Sequence, residues 1–320
     1  MEVVNLENLP ENFKVILDRS FRSDLFKKAV KEKGGFLKLS FFLGVDWSSL
    51  TKIRRGYRIL KNKKSPAFLR VSLLKKLLQI TKIPIKEAEK NIIGIATNKK
   101  VAGCKLPIYS SEKLASLIGN TMGDGFVNKE RFKYVNKRKE LVEKVKRNVE
   151  SIFKIDGREF FIEEKECYGI EFPGVIGQLL TLAGAPNGRK TSLNFCIPGW
   201  IKNGEKKVKI AFIRSLFDDE GSVCLCRSSY PFISISLYKK NTLIDNLLKF
   251  LNDLRKILSE LGLKPSKVNY KKDVNDTKEF GFRLYGLRNL LYFYQKINFD
   301  SLEKRRKLKR AIEKYITKKR

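Results

Sequence analysis

The 320-residue sequence contains no histidine. That absence excludes Ser-His-Asp triads, His-activated cysteine nucleophiles, His-ligated metal nucleases and every zinc site that needs imidazole. Any catalysis must run on carboxylates, lysines and metal-bound water. Cysteine is scarce: Cys104, Cys167, Cys196, Cys224 and Cys226 are odd in number, scattered, and form no CxxC pair. They read as reduced thiols of a cytoplasmic protein rather than as a disulfide framework or a zinc site. Long apolar runs are missing too. The longest uncharged stretch, residues 172–188, carries two prolines and several glycines, which argues against a membrane span. The start, MEVVNLENLPENF, has no basic segment ahead of an apolar core, so no signal peptide is expected. Glutamine is confined to Gln79, Gln178 and Gln295 while Lys, Glu and Ile abound, a composition that points to a thermophilic source.

What is present is positive charge. The 68 Lys and Arg against 34 Asp and Glu leave a net charge of +34. A globular chain repels itself at that charge unless it works against a polyanion, and nucleic acid is the obvious one. Hydrophobic residues make up 42%, enough for real cores, and the length calls for two or three compact units.

Residues 1–100 read as a small all-helical unit. Phe21, Leu25, Ala29 and Val30 fall at helical spacing over 20–33, and Gly34-Gly35 ends that helix. Two short helical runs follow, Phe36 to Leu43 and about Asp46 to Arg55, separated by Gly44-Val45, capped by Asp46 or Ser48, and closed by Gly56. Helix, short glycine turn, helix is helix-turn-helix spacing; its second helix offers Ser48, Ser49, Lys52, Arg54 and Arg55 to DNA. Leu69, Leu73, Leu74, Leu77 and Leu78, with Ile83 and Ile85, are the expected remainder of the core. The sequence is aperiodic from 95, and residues 101–110 read as a linker.

An internal repeat follows. SEKLASLIGNTMGDG (111–125) and KVKIAFIRSLFDDEG (207–221) superpose with a shift of 96 residues, which carries Asp124 onto Glu220. Ala115 then matches Ala211, Gly119 matches Ser215 and Gly123 matches Asp219. Each copy leads into strand-like residues and a long charged helix, so each repeat (111–205 and 206–320) is expected to run helix, strands, helix, strand, helix. Ala115, Gly119 and Gly123 are four apart on one helical face, as are Ala211, Ser215 and Asp219. Small residues in a row let two helix backbones nearly touch. If the two faces pack about a local twofold, Asp124 and Glu220 arrive together at two helix C-termini, a self-repelling pair suited to hard divalent cations. One such segment alone is an ordinary core helix with a C-cap; a purely structural helix has no need of the acid twice.

These residues resemble the LAGLIDADG homing endonucleases. LIGNTMGDG (Leu117–Gly125) and IRSLFDDEG (Ile213–Gly221) are similar to the paired motifs of single-chain members. IPGWI (Ile197–Ile201), GLRNLLYFYQKINF (Gly286–Phe299) and EKRRKLKRAIEKY (Glu303–Tyr315) look like the inter-repeat and C-terminal segments, so the likeness runs from 105 to about 316. It implies an α/β (α+β) fold of two pseudo-twofold half-domains whose antiparallel sheets form a saddle on the DNA major groove. It further implies a monomer that cuts both strands of a long duplex site with Mg²⁺ or Mn²⁺. Asp124 and Glu220 would be the catalytic acids, and the metal site would comprise Asp124, Glu220, Gly123 and Asp219. A helical N-terminal unit ahead of such a pair is similar to free-standing archaeal members, and the lack of a near-terminal His-Asn separates the chain from intein-embedded ones. Asp219 departs from the pattern, which prefers a small residue there. A basic residue often assists near the metals; Lys190, Lys278 and Arg283 are the candidates here.

DNA-facing strands should alternate polar and apolar residues. Ser234 and Ser236 alternate with Ile233 and Ile235, while Asn128, Lys129, Arg131 and Lys133 are the matching set in the first repeat. Lys190, Arg227, Lys278 and Arg283 complete the expected DNA contacts. Cys224 and Cys226 read as packing or groove-facing residues, and the run from Lys304 to Arg310 as a solvated helix face. The alternative to a nuclease is a non-cleaving binder on the same scaffold, an intron RNA maturase or a transcription regulator. A chromatin-type structural protein would explain the charge but not the repeated acids.

Overall fold

The structure, a computed structural model, describes residues 1–60, 63–98, 100–225 and 230–317; the side chains of 58–60, 63 and 64 lie outside that description. The chain divides into two compact units. One holds residues 2–109 with 153–155, the other residue 1 with 110–152 and 156–320.

The first unit begins with β1 (Glu2–Val4) and β2 (Lys14–Leu17). Helix α1 (Arg19–Glu32) is capped by Asp18, whose side chain accepts from the N–H groups of Ser20 and Phe21. Gly34 and Gly35 end it, and α2 (Phe36–Leu43) and α3 (Trp47–Arg55) follow. Gly44 closes α2 with φ 65°, and Asp46 rather than Ser48 caps α3 by accepting from Ser49 N–H at 2.8 Å. Gly56 closes α3 with φ 77°, and a side chain there would also collide with the Arg22 guanidinium. Next come β3 (Tyr57–Leu60), β4 (Lys63–Pro66), β5 (Leu69–Arg70), α4 (Val71–Thr81), α5 (Ile85–Lys90), β6 (Ile92–Ala96), β7 (Val101–Ala102) and β8 (Ile108–Tyr109).

This unit is therefore not all-helical. Strands β5, β2, β6 and β7 form a four-stranded antiparallel sheet in that order, and β1 pairs with β8. Four of these strands are only two or three residues long, too short for an alternation of period two to register in sequence. Val15, Leu17, Ile92 and Ile95 are core residues of that sheet. Residues 101–110 are likewise not a free tether, since β7 and β8 both pair. The leucines of α4 are buried as the spacing requires, but Ile83 and Ile85 are only half-buried, and Ala88 is buried in their place.

The second unit has the repeat written into its topology. The first half runs α6 (Glu112–Met122), β9 (Gly125–Val127), β10 (Arg131–Asn136), α7 (Lys139–Phe153), β11 (Arg158–Ile162), β12 (Cys167–Pro173) and α8 (Gly174–Leu182). After α9 (Gly199–Lys202), the second half runs α10 (Lys206–Glu220), β13 (Gly221–Cys224), β14 (Phe232–Lys240), α11 (Ile244–Glu260), β15 (Asn269–Val274), β16 (Thr277–Tyr285), α12 (Leu287–Tyr292) and α13 (Leu302–Thr317). The sheet orders are β9-β10-β12-β11 and β13-β14-β16-β15, all antiparallel, the same arrangement twice. Each half thus places a hairpin after its long helix, where a single strand was expected. The fold is α+β: two like halves, each an antiparallel sheet backed by amphipathic helices. Among the described residues no helix is long and apolar enough to cross a membrane.

Candidate active site

Helices α6 and α10 meet along the row of small residues. Ser116 Oγ and Ser215 Oγ are 2.6 Å apart, and Asn148 Nδ2 and Lys144 Nζ donate to them at 3.2 and 2.9 Å. A Cβ on Gly119 would stand 2.7 Å from the Phe212 carbonyl oxygen and 3.0 Å from Ser215 Cβ; one on Gly123 would collide with Asp219. Gly119 and Ser215 are repeat equivalents, as are Gly123 and Asp219. A residue that touches its own equivalent is what a twofold along the seam produces. Ala115 and Ala211 are buried on the same faces.

The seam delivers the acids. Asp124 lies just past the end of α6, and Glu220 is the last residue of α10. Burial raises the Glu220 carboxyl to about 7, with Asp124 adding to the rise and Lys190 and Lys304 opposing it. Asp124 is exposed at the rim by surface area, yet its carboxylate stands amid enough protein for desolvation to raise its pKa as well. Asn136 Nδ2 donates to Asp124 Oδ2 at 2.7 Å and so fixes that carboxylate.

Asp219 is spent on supporting the first acid. Its Oδ2 accepts from the Asp124 N–H and from Asn120 Nδ2, both at 3.2 Å, and its Oδ1 accepts from the Tyr134 hydroxyl at 2.6 Å. Both oxygens are engaged, so Asp219 braces Asp124 rather than standing open beside it. Burial first and Asp124 second push its pKa well above the usual range. Asp218, fully buried, turns the other way and accepts from the N–H groups of Asp300 and Ser301 at 3.0 Å each, which sets the entry to α13.

Three lysines close the surroundings. Lys304 is not on a solvated face: it is 8% exposed and donates to the carbonyls of Phe217 (3.1 Å) and Asp218. Both are last-turn carbonyls of α10; that of Phe217 also accepts from the capping Gly221 N–H, and the buried cation adds to the satisfaction of this helix end. Lys190 donates to the Gly125 carbonyl at 2.8 Å; burial lowers its pKa, while Glu220, Asp124 and Asp219 hold it up. Lys239 donates to the carbonyls of Lys190 (2.7 Å) and Leu193 and lies 4.0 Å over the Phe195 ring, so it pins the turn that carries Lys190. Its burial lowers its pKa to about 8. Tyr134, Asn136, Asn120, Lys239 and buried Lys304 were not singled out from sequence. They reach the acids through strand pairing and helix return, which no local spacing encodes.

A hard divalent cation fits this donor set in one way. Among the described residues no three His, Cys, Asp or Glu side chains cluster to cage a metal. The Asp124 and Glu220 carboxylates are near enough for the charge of Asp124 to raise the Glu220 pKa, a repulsion that a cation relieves; the buried Asn120 Oδ1 has no partner among the described residues. Two acids suit an ion of the Mg²⁺ type, which keeps most of its water ligands.

The sheets carry the other expected residues. In the first half Arg131 and Lys133 lie on the open face; Arg131 pairs with Glu171 at 3.1 Å and Lys133 covers the Phe160 ring at 4.7 Å. Lys129 is exposed, but the Asn128 carboxamide is committed to the hairpin, accepting from Glu130 and Arg131 N–H at 2.9 Å. In the second half Ser234 and Ser236 are on the open face, hydrogen-bonded to Ser222 and to Glu279. Arg283 opposes Ser234 there, 4.5 Å over the Phe232 ring. Lys278 pairs with Lys239, at odd spacing from Arg283, and so belongs to the other face. Of the three candidate assisting cations, only Lys190 lies among the acids. Cys224 Sγ is 3.9 Å from Ser234 Oγ, a packing contact; Arg227 and Cys226 lie outside the described residues. On α3, Ser48, Lys52, Arg54 and Arg55 are all exposed, but they diverge. Lys52 faces a hollow shared with α4, and Arg54 and Arg55 face one shared with α1.

No family model matches the chain. Among curated proteins it is similar to the tRNA-splicing ligase RtcB of Pyrococcus abyssi, 31% identical over 37% of this chain and 13% of that protein. It is also similar to RtcB of Methanocaldococcus jannaschii, 23% identical over 67% of this chain and 24% of that protein. The replication factor C small subunit of M. jannaschii is 28% identical over 61% of this chain and 12% of that protein. The chain therefore spans under a quarter of the length of these relatives. Solved structures similar to it include a variant of the homing endonuclease I-DmoI, at TM-score 0.38 and 15% identity over 58% of this chain and 88% of that one. Full-length DUF199/WhiA from Thermotoga maritima gives TM-score 0.43 and 17% identity over 66% of this chain and 62% of that one.

Proposed function

We propose that the chain is a single-chain, site-specific double-strand DNA endonuclease of the LAGLIDADG type, and that it works as a cytoplasmic monomer. The observation that carries this reading is the pair Asp124 and Glu220, presented together by a seam whose residues touch their own repeat equivalents. Asp124 and Glu220 would hold Mg²⁺ or Mn²⁺, which supplies a Lewis acid and an activated water to the phosphodiester. Asn136 and Asp219 orient Asp124; Lys190, among the acids but tied to the Gly125 carbonyl, offers positive charge to a phosphate. The open faces of the two sheets, with Arg131, Lys133, Ser234, Ser236 and Arg283, would lie on the major groove. The domains would be an N-terminal DNA-binding unit to about residue 109 and two repeats divided near 205. Similarity to a tRNA-splicing ligase and to a replication factor C small subunit over small shares of each agrees with a module carried within different hosts.

One observation favours a second reading. Asp219 fills the place of a small residue beside Asp124 and has both oxygens engaged within the protein, as in a scaffold kept for binding alone, for DNA regulation or for intron RNA. The purified protein should be incubated with duplex DNA from its own genomic neighbourhood, with Mg²⁺ or with EDTA, beside Asp124→Asn and Glu220→Gln. Discrete cuts that need the metal and vanish in both variants establish the nuclease. Specific binding without cuts, equal in all three proteins, makes it a binder.

A further inference from the structure

In the N-terminal unit a hollow of about 580 Å³ opens between α3 and the start of α4. Lys14, Lys52, Arg70 and Lys76 line it against one acid, Asp46. That acid is already occupied: its Oδ1 accepts from Ser49 N–H and the Ser48 hydroxyl, each at 2.8 Å, and these bonds hold its pKa at about 2. None of the four cations forms an ion pair among the described residues, and Lys14 has only the Phe68 ring, 6.0 Å away. The first two N–H groups of α4 are taken by the carbonyls of Phe13 and Glu11, so attraction for an anion comes from the side chains. Four cations against one carboxylate leave the concavity net positive, which raises the local potential and invites a polyanion. The volume, in the range of clefts that hold extended ligands, exceeds what a single phosphate needs, and Leu43 and Phe68 give the floor an apolar surface.

We infer that this hollow seats the phosphodiester backbone of duplex DNA, with Lys14, Lys52, Arg70 and Lys76 on successive phosphates and the apolar floor against sugar. Continuity with α3 favours duplex DNA over a free anion, since Ser49 and Lys52 line the hollow from the helix that offers residues to base edges. The inference deepens the DNA-binding half of the proposed function and is independent of the acids. It is therefore tested in the Asp124→Asn protein, so that cleavage plays no part.

Binding of a long random-sequence duplex is followed by fluorescence anisotropy across a salt series. One variant carries Lys14→Gln, Arg70→Gln and Lys76→Gln; a control of equal charge carries Lys28→Gln, Lys31→Gln and Lys90→Gln, all exposed outside the hollow. The slope of log affinity against log salt should fall by roughly 2 to 3 in the first, at about 0.9 per lost phosphate contact, and by less than about 1 in the control. Equal slopes in the two variants overturn the inference, because total charge alone would then set affinity. Calorimetry with inorganic phosphate is the second arm: tight uptake lost in the first variant, with its duplex slope unaltered, assigns the hollow to a free phosphate and also overturns it. If the first variant fails to fold, lysine acetylation footprinting on the Asp124→Asn protein decides. Lys14, Lys52 and Lys76 should be protected by duplex while Lys28 and Lys90 are not, and equal labelling refutes the assignment. No duplex binding at any salt removes the DNA-binding reading itself, a result distinct from binding with an unchanged slope.

Discussion

A carboxylate where the other repeat has Gly123 forces a comparison of costs. Burial of Asp219 penalises its charge, but three donors point at it, and removing it orphans the buried Tyr134 hydroxyl and the buried Asn120 amide. Unsatisfied buried donors cost about 1–3 kcal/mol. Asp219→Ala should therefore lower unfolding free energy by roughly that amount in urea titrations at pH 7, and Tyr134→Phe by less. Because the lost bond to the Asp124 N–H fixes that acid, the nuclease we propose should lose about tenfold or more in single-turnover cutting rate with duplex affinity unchanged. Weaker DNA binding at an unchanged rate would mean that Asp219 does not brace the acid. Glu220 gives a pH signature. Its folded pKa of about 7 lies above its ordinary 4.5, so the folded state binds the proton more tightly. Its contribution is greatest below 4.5 and is lost as pH rises through 7, up to about 3 kcal/mol in all. Glu220→Gln should flatten the melting temperature between pH 4.5 and 7. Mg²⁺, if these acids hold it, should raise the wild-type melting temperature more at pH 8 than at pH 5. A pH profile identical in both proteins would show that Glu220 is not desolvated.

At the scale of elements, the α6–α10 seam tolerates no added volume. A Cβ at Gly119 lands on the Phe212 carbonyl, a backbone atom that cannot swing aside. Gly119→Ala should cost about 1–3 kcal/mol by overpacking, measured as a shift in urea midpoint. Gly199→Ala, with open space at its Cβ, should cost far less; equal losses would show that the seam is loosely packed. This seam was legible in sequence because four-residue spacing of Ala115, Gly119 and Gly123 specifies a face, and the repeat names the partner face. Helix ends were legible for a similar reason, since Asp18, Asp46, Gly44 and Gly56 act locally. What escaped was non-local or short. The strand Lys14–Leu17 needs partners 54 to 82 residues away to exist. Nor does any pattern reveal that Lys304, in a run of basic residues, is the one that turns inward to the carbonyls of α10.

The whole molecule carries its +34 charge as two competing electrostatic effects, and the melting temperature can tell which dominates. Exposed ion pairs such as Lys307–Glu303 (2.6 Å) and Arg131–Glu171 (3.1 Å) stabilise weakly, each by about 0–1 kcal/mol, and salt weakens them. Net repulsion among the excess cations destabilises, and salt weakens that too, because the Debye length shrinks from about 30 Å at 0.01 M to about 8 Å at 0.15 M. With twice as many cations as acids, at least half of the Lys and Arg side chains have no acid to pair with one-to-one, so repulsion is the larger effect. The melting temperature should therefore rise as NaCl is added from low ionic strength. It should rise further with duplex DNA at 100 times its dissociation constant, a stabilisation of about 2.7 kcal/mol by mass action. The two gains should not add, since added salt releases the DNA while it screens the chain. Calorimetric scans over a grid of salt and duplex concentration would show a ridge of stability at low salt with DNA. A melting temperature that falls with salt in the free protein would instead mean that ion-pair networks outweigh the repulsion, and that the charge is balanced within the fold rather than reserved for a polyanion.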